Sequence, residues 1–110
     1  MASAGDVRKF ALAHPGVEEI AHWGRPAYRT KKRIFAVMRP AEKRVYLHLP
    51  EERKDFLFAA APDVFIPEKW GKSTSLLVHL PAIAAAELRG LIAEAWQSAT
   101  PPPGKKRRAK

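Results

Sequence analysis

A chain of 110 residues, 46% of them hydrophobic, holds one domain and hardly two. It contains no cysteine, which excludes disulfides, thiolate zinc sites and cysteine nucleophiles. The net charge of +9 is unevenly placed: residues 22–49 carry +7 and residues 104–110 carry +5, whereas residues 1–21 and 50–103 carry −1 and −2. Charge kept for solubility alone would be spread more evenly. The opening Met1-Ala2-Ser3-Ala4-Gly5-Asp6, with Arg8 and Lys9 close behind, reads as neither signal peptide nor membrane anchor. No apolar run reaches bilayer length, so a cytoplasmic protein is expected.

In chain order, Asp6 to Ala13 is a predicted helix with Val7, Phe10, Ala11 and His14 on one face. Ser3 or Asp6 caps it, and Pro15-Gly16 ends it. Glu18 and Glu19 lead into a loop, His22-Trp23-Gly24-Arg25-Pro26, that carries turn residues. Three short strands follow, Ala27 to Thr30, Arg33 to Arg39 and Arg44 to Leu49, joined by turns at Lys31-Lys32 and at 40–43. In the third, Val45, Leu47 and Leu49 alternate with Arg44, Tyr46 and His48, the period of a half-buried strand. Short turns imply an antiparallel meander.

Pro50 opens a second helix, with Glu51 and Glu52 in the first turn and Phe56, Leu57 and Ala60 as its buried stripe. Val64 to Ile66 is a brief extended piece, 68–72 a loop, and Ser73 to Leu80 a last strand. The longest helix runs from Pro81 to about Ala99, with Ile83, Leu88, Leu91, Ile92, Ala95 and Ala99 as its apolar stripe. Three prolines then lead to Lys105, Lys106, Arg107, Arg108 and Lys110, a stretch expected to be a disordered basic tail. Strands cluster rather than alternate with helices, which gives an α+β class: one domain over residues 1–100, an antiparallel sheet of about four to five strands, and the N- and C-terminal helices on one face. The other face carries the intervening charged and aromatic side chains.

Several segments together resemble the MmcQ/YjbR family of small bacterial proteins. They are Leu12-Ala13-His14-Pro15-Gly16-Val17-Glu18-Glu19, Trp23-Gly24-Arg25-Pro26-Ala27-Tyr28-Arg29, Lys32-Arg33-Ile34-Phe35-Ala36, Val64-Phe65-Ile66-Pro67 and Trp70-Gly71-Lys72. The resemblance covers about residues 5–100 and rests on their order and spacing. It implies a CyaY-like fold similar to bacterial frataxin, and a DNA-binding role in which the sheet and its loops form a double wing. Many relatives carry a tryptophan in the last strand where this chain has Ser75, which puts any contact made by that tryptophan in doubt here.

The residues give four candidate features. Arg29, Lys31, Lys32, Arg33, Arg39, Lys43 and Arg44 lie on or between adjacent strands, whose spacing of about 5 Å suits a row of phosphates. Tyr46 and His48 share the strand face of Arg44. The alternative is a solvated face with no partner, but such a face would intersperse carboxylates, and Glu42 is the only one in this stretch. The basic tail adds encounter rate and non-specific affinity, or is a solubilising terminus. The segment from His22 to Arg25 is either a stacking platform or, the reading favoured here, a tryptophan packed over a helix–sheet seam. Lys69-Trp70-Gly71-Lys72 is a wing tip or a tight glycine turn.

His14, His22, His48 and His79 are scattered without ligand spacing, so no metal or other cofactor is expected. No nucleophile, acid–base pair or phosphate-cradling loop is present, and the chain is not expected to be an enzyme. The expectation is therefore a monomeric DNA-binding protein. Arg25, Arg29, Lys31, Lys32, Arg33, Arg39, Lys43 and Arg44 would contact phosphates, with Tyr46, Trp70 and Lys72 in support. The alternatives are a protein-interaction domain or a small-molecule-binding protein.

Overall fold

The computed structural model describes residues 2–99. Helix α1 (Ala4–Leu12) starts at a capping box. The Ser3 hydroxyl accepts from the Asp6 backbone N–H, and the Asp6 carboxylate accepts from the Ser3 N–H at 3.0 Å. Strands β1 (Glu18–His22), β2 (Arg25–Arg29), β3 (Ile34–Arg39) and β4 (Arg44–Leu47) follow, then helix α2 (Glu51–Ala60), strands β5 (Phe65–Trp70) and β6 (Ser73–His79), and helix α3 (Ala85–Ser98). Short 3-10 turns at Pro40–Glu42 and Leu80–Ala82 complete the order. The strands form one antiparallel sheet in the order β1-β2-β3-β4-β6-β5. Among the described residues no helix is long and apolar enough to cross a membrane.

The α+β class holds, but the sheet has six strands rather than four or five. Strand β1 is new, over residues read as the approach to a loop, and β5 extends the brief piece expected at Val64 to Ile66 through residues read as a loop. Glu18–His22 pairs with Arg25–Arg29 through a two-residue turn, Trp23-Gly24, and Phe65–Trp70 pairs with Ser73–His79 through Gly71-Lys72. The turn chemistry was visible in both places, but the strands beside it were too polar, or too interrupted by Pro26 and Pro67, to declare themselves. These two strands sit on the sheet edges, where proline is tolerated: β1 and β5 are edge strands, and Pro67 lies in β5. The longest helix begins at Ala85 rather than Pro81, because Pro81 sits inside a 3-10 turn.

Alternation assigns the two faces. Ala36, Leu47 and Leu76 are cross-strand neighbours, as are Met38, Val45 and Val78, with Phe65 beside Val78. These residues are buried, and with Val7 and Ala11 of α1 and Leu88, Leu91, Ile92 and Ala95 of α3 they make one core. A bulge between β2 and β3 leaves Phe35 without a cross-strand partner in register; it is buried with Ala36. The stripe predicted for α3 is buried throughout. The stripe predicted for α2 is not: Leu57 is buried and Phe58 packs on the core, but Ala60 is exposed and Phe56 is 61% exposed under the Arg53 guanidinium.

Candidate nucleic-acid interface

Among the described residues no helix covers the opposite face of the sheet. Its central row is Ile20, Ala27, Val37, Tyr46, Leu77 and Ile66, linked pair by pair across all six strands. Ala27 and Leu77 are buried, yet they stand apart from the helix-side core. One row toward the Trp23-Gly24 end lie His22 and Arg25, paired across β1 and β2, and Arg39, Arg44 and His79, paired across β3, β4 and β6. Because Ala27 pairs with Val37, Arg25 and Arg39 stand at the same level. Five basic side chains from five strands thus form a transverse row of roughly 19 Å, at about 4.8 Å per strand.

Arg39 in this row is neutralised. Its guanidinium makes a bidentate pair with Glu68, at 2.8 and 2.5 Å, and reaches Glu42 at 3.7 Å. These bonds, the one to Glu68 above all, favour its charged form still further. Glu68 is on β5, with β4 and β6 lying between it and β3. The pair therefore reaches across this face over β4 and β6, beside a hollow. The hollow is a trough of about 740 Å³, lined by His22, Trp23, Arg25 and Arg39 toward the basic row, Ile34, Val37 and Tyr46 along the floor, and Ser75 toward the other end. Burial raises the Tyr46 phenol above its usual pKa, so it stays protonated at neutral pH.

Trp23 overturns the seam reading. It is 88% exposed, at the tip of the β1–β2 hairpin, and its ring lies edge-on to His22 at 6.1 Å. Its backbone is left-handed (φ 57°), as is that of Gly24 (φ 77°), the pattern of a two-residue type I′ turn. Asn-Gly is the usual choice there, and a bulky residue in this region is strained. Lys43 is the other left-handed non-glycine residue among those described, and it lies at this same end of the sheet.

The remaining predicted cations go elsewhere. Arg29, Lys31, Lys32 and Arg33 surround the β2–β3 turn, and Lys72 sits in the β5–β6 turn. Both turns are at the opposite end, a strand length of roughly 17 Å from the basic row at 3.3 Å per residue. The continuous cationic surface expected from sequence is therefore two clusters with an apolar centre between them. The β2–β3 turn is built on Thr30, which is buried. Its hydroxyl donates to the Ala99 carbonyl at 2.5 Å and accepts from the Lys32 N–H at 3.1 Å. Arg29 donates to the carbonyls of Thr30 and Lys31. Arg33 bonds the His48 Nε2, while His48 Nδ1 lies 3.0 Å from the Ser98 hydroxyl, which itself donates to the Ala95 and His48 carbonyls. That set makes His48 a neutral ring with its proton on Nδ1. Burial first, then Arg33 and Lys54, holds its pKa below the ordinary value. Trp70 ends β5, in register with Ser73.

Of the eight cations assigned to phosphates, Arg39 alone has a carboxylate partner among the described residues. Among the described residues three buried side-chain nitrogens lack a hydrogen-bond partner, Arg39 Nε, Arg44 Nε and His79 Nδ1, and all three belong to the transverse row. His22 and His79 were set aside as scattered histidines, and their place in the row depends on strand register, which the sequence does not print. Among the described residues no three metal-ligating side chains converge. The basic residues of the predicted tail lie outside the described residues.

Comparison with known proteins agrees with this geometry at the level of fold and family. The chain is similar to the crystal structure of Deinococcus radiodurans protein DR2400, a DUF419 domain, with a TM-score of 0.74 at 21% identity, over 86% of this chain and 76% of that one. No curated protein sequence matches it. The YjbR family model matches residues 12–98, a span running from the end of α1 through α3 and containing all six strands, so the chain belongs to the YjbR family.

Proposed function

We propose that this protein binds nucleic acid, DNA in the first instance, through the open face of its sheet, and acts as a binding protein rather than an enzyme. The observation that carries this reading is the transverse row. Arg25 and Arg44 align there with His22 and His79, without carboxylate partners among the described residues. Cations aligned on one face without carboxylates to neutralise them favour an anionic partner. The second cluster, Arg29 to Arg33 with Lys72, supports it from the other end of the face, and the apolar centre leaves room for the less polar part of the ligand. Phosphate contacts position a ligand without reading its sequence, so affinity here is electrostatic and weakly selective.

A titration of the full chain, and of one ending at Pro103, against duplex DNA at low and moderate salt tests this. Each phosphate neutralised contributes about −0.9 to the slope of log affinity against log salt. A slope of several units that survives tail removal is expected. Affinity indifferent to salt, or lost with the tail, would reject the folded surface as the site.

A further inference from the structure

Phosphate contacts explain the row but not the trough beside it. A surface that only neutralised charge would need neither a hollow nor an exposed tryptophan held in a strained turn. We propose that the trough is a socket for one unpaired nucleobase, so that the protein prefers a single strand to a duplex; this rests on the nucleic-acid reading above. The volume of about 740 Å³ falls in the range of roughly 300–1,000 Å³ typical of small-ligand sites. Its floor, Ile34 and Val37, is apolar and suits the face of a heteroaromatic ring. Trp23 stands at its mouth with nearly its whole ring free, on a two-residue turn too short to let it swing far. Base stacking on such a ring is indifferent to base identity. Arg25, two residues on and exposed, is placed for the phosphate flanking that base.

A duplex keeps its bases stacked inside and offers no ring face to a recessed site unless a base is flipped out. A single strand offers both ring and phosphate at once. Ser75, which lines the trough, is small and leaves it open.

The test compares an oligothymidylate strand with the same strand annealed to oligodeoxyadenylate, at two salt levels, on wild type, Trp23→Asn and Ser75→Trp. Asparagine suits the left-handed turn, so Trp23→Asn keeps the hairpin. The strand should bind several-fold tighter than the duplex. Trp23→Asn should lower strand affinity roughly ten-fold while leaving the duplex within about two-fold, because stacking is lost and charge is not. That deficit should persist at the higher salt. Ser75→Trp should act in the same direction by filling the trough, with circular dichroism checking its fold. Salt-sensitive binding of both DNAs at equal affinity, unmoved by Trp23→Asn, would overturn the socket and leave the broader reading intact. Binding of neither would overturn both.

Discussion

The two faces of this sheet are built by different rules. The helix side is a closed apolar layer in which Phe35, Leu47, Val45 and Val78 are wholly buried. The open side has the same strand alternation and comparable apolar residues along its centre, but its rim is charged and the Arg39–Glu68 pair is drawn across its strands. Helices α1 and α3 exclude water from one face, whose residues answer to packing. The other is left open with cations along its rim, and under the proposed function its residues answer to a ligand.

Substitutions on the two faces should therefore separate stability from binding. The largest expected effect is Phe35→Ala, which opens a cavity in the helix-side layer and should cost about 3–5 kcal/mol in urea denaturation, with DNA affinity per folded molecule unchanged. Glu68→Gln should cost less, about 1–2 kcal/mol after allowing for partial exposure, because it leaves Arg39 short of its partner. It should also strengthen DNA binding by releasing that cation, and a weakened affinity would break the contrast between the faces. Gly24→Ala, at a left-handed backbone position, should lower stability by about 1–2 kcal/mol. Arg25→Ala, exposed and unpaired, should leave stability within about 0.5 kcal/mol and reduce the salt slope by about one.

The smallest effect concerns pH. His48 resists protonation in the folded chain more than in the unfolded one, so the unfolded state binds the extra proton as the pH falls. Its contribution to stability is complete above the unfolded value of about 6.5 and is lost below it. His48→Gln should make denaturation midpoints less dependent on pH across that window. An unchanged dependence would show that the Arg33–His48–Ser98 linkage does not set it.

The sequence made some of this legible and hid the rest for identifiable reasons. The α3 stripe from Ile83 to Ala99 could be read directly, because a long period-3.6 pattern has one face to bury. So could the alternation of β4. Phe56, Leu57 and Phe58 are consecutive, and which of them points inward was decided when α2 docked beside β5, so the predicted stripe was misplaced. The edge strand β1 and the second half of β5 looked like loops because their side chains are half solvent-facing and each strand lies beside or contains proline. Trp23 was assigned to a seam by its usual preference, and only the register of a two-residue hairpin shows that no seam lies within its reach.

By itself the sequence determined the α+β class, the meander from β2 to β4, the helical core stripe and the excess of positive charge over residues 22–49. These follow from local periodicity and composition, which neighbouring residues carry along the chain. Tertiary structure decided that the cations divide between two ends of the sheet, that Arg39 is tied to Glu68, and that His22, Arg25, Arg44 and His79 align beside a hollow. Those facts depend on strand order and register. They bring together residues up to 57 positions apart, from His22 to His79, and no local pattern encodes such a distance.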